Sequence, residues 1–330
     1  MRAEKLSQFL VKSIRANRRV LVKGKPGVGK SDIVAQACAE VGAEMVLMHP
    51  SISDPTDFKG MPALTNKGTE AHFLPFGDLS KLCKATALTV AFLDDIGQAA
   101  PAVQAALMQL ILARSVNGTR ISPHVVFVGA TNDTSHCAGV SGMIEPLKSR
   151  WDTIVELECS VDDWSQWALT AGMPCELVAF IRFRPALLSD FKPTREIRNS
   201  PCPRTWASVG SWLNDGVKDL EVFTGAVGEG AAVEFFSFLD LYASLPSLDA
   251  ILLDPANADV PEKPAALFAV SAGLARKATP QNLDRVTTYL SRLPKEFEVM
   301  AVRDAVRLNK TVTASPAFVA WATKNSTVLC

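Results

Sequence analysis

The stretch Gly24-Lys25-Pro26-Gly27-Val28-Gly29-Lys30-Ser31 constrains this chain more than any other, because it fits the pattern GxxxxGK[ST] without a mismatch. Before it, Arg19-Val20-Leu21-Val22 reads as a buried strand; after it, Asp32-Ile33-Val34-Ala35-Gln36-Ala37 reads as the start of a helix. A strand–loop–helix unit with this spacing is a phosphate-binding loop. Its glycines let the backbone wrap closely around a polyphosphate, so that N–H groups and the helix N-terminus point at the anion. The expectation is a nucleoside triphosphate site lined by Gly24, Lys25, Pro26, Gly27, Val28, Gly29, Lys30, Ser31 and Asp32. Lys30 would meet the β- and γ-phosphates, and the Ser31 hydroxyl would hold Mg²⁺. The competing reading is a glycine-rich turn that binds nothing, and both flanking elements count against it.

A length of 330 residues suggests about two domains. Lys+Arg and Asp+Glu number 34 each, so no basic excess marks nucleic acid as an obligate partner, although a local patch is compatible with this balance. Seven cysteines are scattered, and none forms a CxxC pair or takes zinc-ligand spacing with the four histidines. An odd, unpatterned set fits reduced thiols and a cytoplasmic location. Residues 1–19 carry charges throughout and lack the apolar core of a signal peptide. No apolar run is long enough to span a bilayer, so no membrane partner is expected.

Residues 4–16 have the apolar spacing of an amphipathic helix leading into the first strand. The helix after the loop is expected to stop at Gly42. Further strands are read at Glu44-Met45-Val46-Leu47-Met48, Leu88-Thr89-Val90-Ala91-Phe92-Leu93, residues 124–132 and residues 152–157. Continuous apolar strands alternating with helices indicate a parallel sheet covered on both faces. Between the second and third strands, residues 49–79 are rich in turn formers and read as a long irregular segment with a hairpin tip at Asn66-Lys67-Gly68. Asn117-Gly118 marks a second tight turn. Beyond Glu158 the strand signal ends, and helices are expected at 162–171, 175–183, 204–214, 230–244 and within 263–325. A Pro/Asp-rich linker lies near 253–261. The expected domains are 1–160, 161–253 and 254–330.

Ligands of open parallel sheets bind at the carboxyl ends of strands. Asp94 ends the third strand, where a carboxylate can reach Mg²⁺; Asp95 follows, placed to orient or deprotonate a water. An acidic pair there can also cap a helix. Asn132 ends the fourth strand, where its amide can bond both a γ-phosphate and the water, or merely form a turn. Phosphoryl transfer needs cationic stabilisation beyond one lysine, and Arg150 and Arg204 are the candidates. Phe58-Lys59 reads either as a grip on a polypeptide or as an aromatic packed under its own loop. Trp164, Trp167, Trp206 and Trp212 are spaced to fill a helical core. His49, Ser51 and Ser53 read as capping or turn residues.

Taken together these motifs resemble the AAA+ ATPases, and within them the MoxR-like group that includes the CbbQ and NorQ activators. Residues 24–31 match Walker A, 90–95 Walker B, Asn132 sensor 1, Arg150 the arginine finger and Arg204 sensor 2. Asp94-Asp95-Ile96-Gly97-Gln98-Ala99-Ala100-Pro101 is similar to the group's D-E-I-N-R-A-P-P. The resemblance implies an α/β P-loop NTPase core with a five-stranded parallel sheet, then a helical lid and a helical C-terminal extension. It further implies ATP and Mg²⁺ as cofactors, and a hexameric ring whose active sites are completed by Arg150 of the neighbouring subunit. A protein client, with a von Willebrand factor A-domain partner, is implied too. The 49–79 segment would be the helix-2 insert and 114–122 the pre-sensor hairpin, both facing a central pore.

Two departures from the group's pattern bear on the site. Asp95 stands where glutamate is usual, and Gly97-Gln98 where Asn-Arg is usual. Aspartate is one methylene shorter, and misplacing a catalytic group by ~1 Å can cost on the order of a hundredfold. Slow hydrolysis is therefore one expectation, and a nucleotide-gated scaffold with little turnover is the alternative. A small-molecule kinase would leave Asn132 and Arg204 unexplained, and a GTPase would need an N-K-x-D motif that Asn66-Lys67-Gly68-Thr69 does not complete. A DNA-acting motor of the same superfamily ranks behind the protein remodeller because the net charge is neutral.

Overall fold

The computed structural model describes residues 1–65, 68–132, 142–192, 194, 196–245 and 247–326. Two compact units divide the chain, Met1–Ser160 and Val161–Cys330. The hairpin tip expected at Asn66-Lys67 lies outside the described residues.

The first unit opens with α1 (Ala3–Arg15), whose Leu6, Leu10 and Ile14 are fully buried. Then follow β1 (Val20–Gly24), α2 (Lys30–Val41) and β2 (Glu44–Met48). Gly42 ends α2 in the left-handed conformation, with φ 67°, as its C-cap position requires. The segment after β2 is less irregular than its turn-forming residues suggest. It contains α3 (Pro55–Lys59), an antiparallel pair β3 (Met61–Thr65) and β4 (Glu70–Leu74), and α4 (Gly77–Lys84). Burial explains these short helices: Phe58 of α3 and Leu79 and Leu82 of α4 enter the core against α5 (Pro101–Ala113) and β5 (Thr89–Leu93). Phe58 is 0% exposed, so its reading as a polypeptide grip is overturned.

The short strands β6 (Ser115–Val116) and β7 (Thr119–Arg120) pair antiparallel around Asn117-Gly118. Arg114, with φ 50°, ends α5 and donates through Nη2 to the carbonyls of Ser122 (2.9 Å) and Val125 (2.7 Å), pinning this hairpin to the sheet. The sheet is completed by β8 (Val125–Thr131) and, after α6 (Glu145–Lys148), by β9 (Thr153–Leu157). Its strand order is β2-β5-β8-β1-β9, all parallel. β5 and β8 are buried along their whole length, which is why they read as unbroken apolar runs. Gly129 of β8 makes room for Trp151: a Cβ there would lie 2.7 Å from the indole ring.

The second unit is helical. It comprises α7 (Val161–Thr170), α8 (Cys175–Phe183), α9 (Pro203–Asn214), α10 (Leu220–Val227), α11 (Glu229–Ala243), α12 (Leu248–Leu253), α13 (Pro264–Lys277), α14 (Leu283–Leu290), α15 (Lys295–Leu308) and α16 (Pro316–Lys324). The helix α10 escapes the periodicity reading, although Asp219 caps it by accepting from Glu221 N (2.8 Å) and Val222 N (3.1 Å). Trp164 and Trp206 are buried as expected of core residues, whereas Trp167 and Trp212 are 41% and 46% exposed and do not fill the core. α13 packs between α8 and α15, and a buried Arg182–Asp304 ion pair joins α8 to α15. Cys38, Cys83, Cys159, Cys175 and Cys202 are free thiols. Among the described residues no helix is long and apolar enough to cross a membrane.

Arg19 clamps the amino ends of β1 and β9 together. Its backbone N–H donates to Asp152 Oδ2 (2.9 Å) and its Nη2 meets Asp152 Oδ1 at 2.6 Å. The side-chain hydrogen bonds from Arg19 are the largest cause holding the Asp152 carboxyl below its ordinary range, against a smaller opposing effect of burial. A carboxyl with a lowered folded-state pKa stabilises the fold above its unfolded value, about 3.9, and loses that contribution as pH falls through the folded value. Arg19→Met is therefore expected to lower the melting temperature at pH 7. Melts repeated down to pH 3 should show the gap to wild type narrowing; a gap that stays constant would exclude the ion pair as its cause.

Candidate active site

The loop between β1 and α2 folds as its glycines permit. Gly27 and Gly29 take φ of 70° and 96°, a region that glycine enters without a Cβ penalty. Gly29 is the N-cap of α2 and supplies no side-chain cap, so the helix's first-turn N–H groups border the loop uncapped by any side chain there. Gly24 and Lys30 are buried, Pro26, Val28 and Ser31 half-buried, and Lys25 and Asp32 exposed.

Only 7% of Lys30 is exposed. Its Nζ donates to the carbonyls of Gly24 and Lys25, both at 3.1 Å, and to Asn132 Oδ1 at 2.7 Å. Asn132 directly follows β8, and its Nδ2 donates in turn to Asp95 Oδ1 at 3.0 Å. Alongside, Ser31 Oγ donates to Asp94 Oδ2 at 2.7 Å. Asp94 is anchored by its own N–H, which donates to the Met48 carbonyl (2.9 Å), and its Oδ1 accepts from Asp95 N (3.0 Å). Five expected residues, Lys30, Ser31, Asp94, Asp95 and Asn132, are thus brought together at the carboxyl ends of β1, β5 and β8. Asp95 takes φ 54° and ψ 35°. A non-glycine residue there is uncommon, aspartate being among the more tolerant, and such strain clusters at functional sites.

The remaining candidates lie elsewhere. Arg150 precedes β9, at the amino end of the strand, whereas the loop joins the carboxyl end of β1. A five-residue strand separates these two edges by about 16 Å. Arg150 Nη1 donates to Ser149 Oγ (3.1 Å), and its Nε is buried with no hydrogen-bond partner among the described residues. Arg204 is exposed in the first turn of α9, in the second unit. His49 precedes a short 3₁₀ turn, and its carbonyl accepts from Ser53 Oγ (2.9 Å), a turn role.

Two residues of this site carry no recognisable motif. Thr131 is buried, and its Oγ1 donates to the Asn132 carbonyl (3.2 Å). Gly97 packs so closely on it that an added Cβ would lie 2.2 Å from that hydroxyl. A departure from a family pattern was the only sequence signal, and its meaning needed the neighbour in space.

The residues fit a nucleotide and a divalent cation. An ammonium held by three acceptors, two left-handed glycines and a helix start suit a polyphosphate. The described residues hold no cluster of three or more His, Cys, Asp or Glu side chains that would bind a metal unaided. Mg²⁺ at phosphate sites needs only one or two protein oxygens besides phosphate and water, and Ser31 and Asp94 offer that pair.

Residues 19–151 match the model of a known family, the AAA domain of the dynein-related subfamily. This segment has the P-loop fold of an AAA-type domain. The P-loop core and the helical region after it make the whole an α/β AAA+ fold, which is a nucleotide-binding fold. Among solved structures the chain is similar to RuvB, the Holliday junction branch migration motor of Thermotoga maritima. The identity is 18%, covering 88% of this chain and 86% of that one, with a TM-score of 0.42. It is also similar to NtrX of Brucella abortus in complex with ADP, at 14% identity over 99% of this chain and 68% of that one, with a TM-score of 0.38. Neither likeness says what this chain acts on. No curated protein matches it significantly.

Lys30→Ala removes the only cation among the five gathered residues. A titration with a fluorescent ATP analogue is expected to show affinity reduced at least about tenfold, the scale of one lost charge-assisted bond. Equal affinity in the variant would remove Lys30 from the site.

Proposed function

We propose that this protein binds Mg²⁺–ATP and hydrolyses it, acting as a MoxR-like ring ATPase that remodels or activates a protein client. The observation that carries this reading is the contact path Lys30–Asn132–Asp95 beside the Ser31–Asp94 bond. It supplies, within one cluster, a phosphate-facing cation, a metal-facing hydroxyl and carboxylate, a water-orienting amide and a base.

ATP supplies the phosphoryl group and Mg²⁺ the charge that neutralises it. Lys30 and the loop N–H groups hold the phosphates, and Ser31 and Asp94 hold the cation. Asp95 accepts the proton of the attacking water or orients it, and Asn132 fixes the Asp95 carboxylate by donating to it. Arg150 sits at the amino edge of the sheet, away from its own loop, which supports a role toward a neighbouring subunit's site. That assignment calls for a ring of subunits, six by the family resemblance, with Arg204 completing the site as sensor 2. The two antiparallel hairpins would face the pore; Met61, Leu64 and Leu74 give the longer one exposed apolar side chains. A von Willebrand factor A-domain partner and a cytoplasmic setting belong to the same reading.

The second reading, a nucleotide-gated scaffold, rests on the shorter acid at Asp95. Steady-state turnover of wild type beside Asp95→Glu separates the two, because a scaffold has negligible wild-type turnover.

Asp95→Asn is expected to cut turnover by on the order of a hundredfold or more while ATP affinity stays within about twofold. Undiminished phosphate release would sink the assignment. Arg150→Ala should lower turnover by roughly a thousandfold with little loss of ATP affinity. Mixing Arg150→Ala with Lys30→Ala subunits should restore part of the activity, because some interfaces then carry an intact Lys30 and an intact Arg150. Two inactive variants that stay inactive when mixed would exclude a shared site.

A further inference from the structure

We infer that Gly97 and Thr131 form a steric rest that sets how far Asp95 reaches toward Asn132, which makes Gly97 a positioning residue for hydrolysis. The inference rests on the hydrolytic reading above.

Gly97 lies in the 3₁₀ turn Ile96–Gln98 immediately after Asp95, and it is buried. Its φ is outside the left-handed region, so the backbone conformation itself does not call for glycine. What calls for glycine is space. A Cβ at this position would lie 2.2 Å from Thr131 Oγ1 and 3.4 Å from Thr131 Cβ. Real carbon–oxygen contacts are more than an ångström longer than the first of these distances.

Each of the two residues is a near chain neighbour of one partner in the Asp95–Asn132 contact. Thr131 is the last residue of β8, with Asn132 next in the chain. On the other side, the left-handed Asp95 reverses the chain, and Gln98 N closes the turn on the Asp95 carbonyl at 3.0 Å. The turn is therefore tied to Asp95 as rigidly as Thr131 is tied to Asn132. An outward shift of the turn carries Asp95 with it and so acts on the 3.0 Å bond from Asn132 Nδ2 to Asp95 Oδ1.

Asp95 is a methylene shorter than the glutamate of the pattern it resembles, and a close backbone approach compensates for the shorter reach of its carboxylate to Asn132. Gly97 permits that approach. The departures at Asp95 and Gly97 are thus two halves of one arrangement: a shorter acid, and the removal of the Cβ that would hold it back. A Cβ at 97 has two outcomes, and both disturb the site. Either the turn moves off by about 1 Å, a displacement that can cost on the order of a hundredfold in rate, or Thr131 rotates and its Oγ1 gives up the Asn132 carbonyl.

The test is a size-complementation series in the full-length protein, with two readouts. One is steady-state ATP turnover; the other is the side-chain amide NMR signal of Asn132 in protein labelled with ¹⁵N-asparagine. Gly97→Ala is expected to lower kcat at least tenfold while KM for ATP stays within about twofold, and to shift the Asn132 amide signal. Adding Thr131→Ala removes the hydroxyl and leaves its Cβ at the edge of ordinary contact. The double variant should therefore recover to within threefold of Thr131→Ala alone, and its amide signal should return. Thr131→Val keeps a methyl in the place of the hydroxyl and should not rescue. Gly97→Ala with wild-type kcat and an unmoved amide would overturn the inference, as would an equal loss in the single and double variants. Wild-type protein that does not turn ATP over would defeat the hydrolytic reading alone, because the amide signal still reports whether Gly97 sets the Asp95–Asn132 contact.

Discussion

Lys30 carries a positive charge at a position where only 7% of its surface meets solvent. A charge taken out of water costs several kcal/mol unless it is paired or hydrogen-bonded. Here three acceptors satisfy it: two carbonyls of its own loop and the side chain of Asn132, a residue 102 positions later in the chain. That third acceptor is available only because β8 lies directly beside β1 in the sheet. The same strand lies beside β5 on its other edge, so the residue that satisfies Lys30 also touches Asp95. Burial of one ammonium thus links the phosphate loop to Asp95 through the central strand.

Two kinds of local freedom let the acids take part. The loop needs glycine at 27 and 29 for conformation, because both lie at positive φ. At 97 glycine serves close approach, since its φ is ordinary and the obstacle is the Thr131 hydroxyl. Asp95 meets both demands at once: it accepts a left-handed backbone, which aspartate tolerates better than most residues, and the turn that follows it packs closely on Thr131 of β8. The outer strand β9 is held differently. Arg19 and Asp152 tie β9 to β1 through a bond whose strength changes with pH, while the interior strands rely on apolar burial that does not.

The parallel core was legible because its inner strands β5 and β8 are buried on both faces and read as apolar runs, the first followed by two acids and the second by an amide. The segment between β2 and β5 was not. Its helices are five and eight residues long, too short for periodicity to show, and what stabilises them is the entry of Phe58, Leu79 and Leu82 into a core built by distant residues. For the same reason Trp164 and Trp167, three positions apart on α7, differ in burial although both looked like core. The cap at Asp219 was a readable signal for α10 that apolar spacing alone passed over.

Sequence by itself determined which atoms are available to the site: the loop with its lysine and serine, two carboxylates after one apolar strand and an amide after another. These follow from local pattern, since each motif is contiguous and its conformation depends on its own residues. Only the tertiary structure decided that Asn132 stands between Lys30 and Asp95, that Arg150 lies at the far edge of the sheet, and that Gly97 rests on Thr131. Those are consequences of strand order and register, which arise from pairings between residues tens of positions apart. Local composition does not encode such pairings, because the same apolar strand would be equally buried in several places in a parallel sheet.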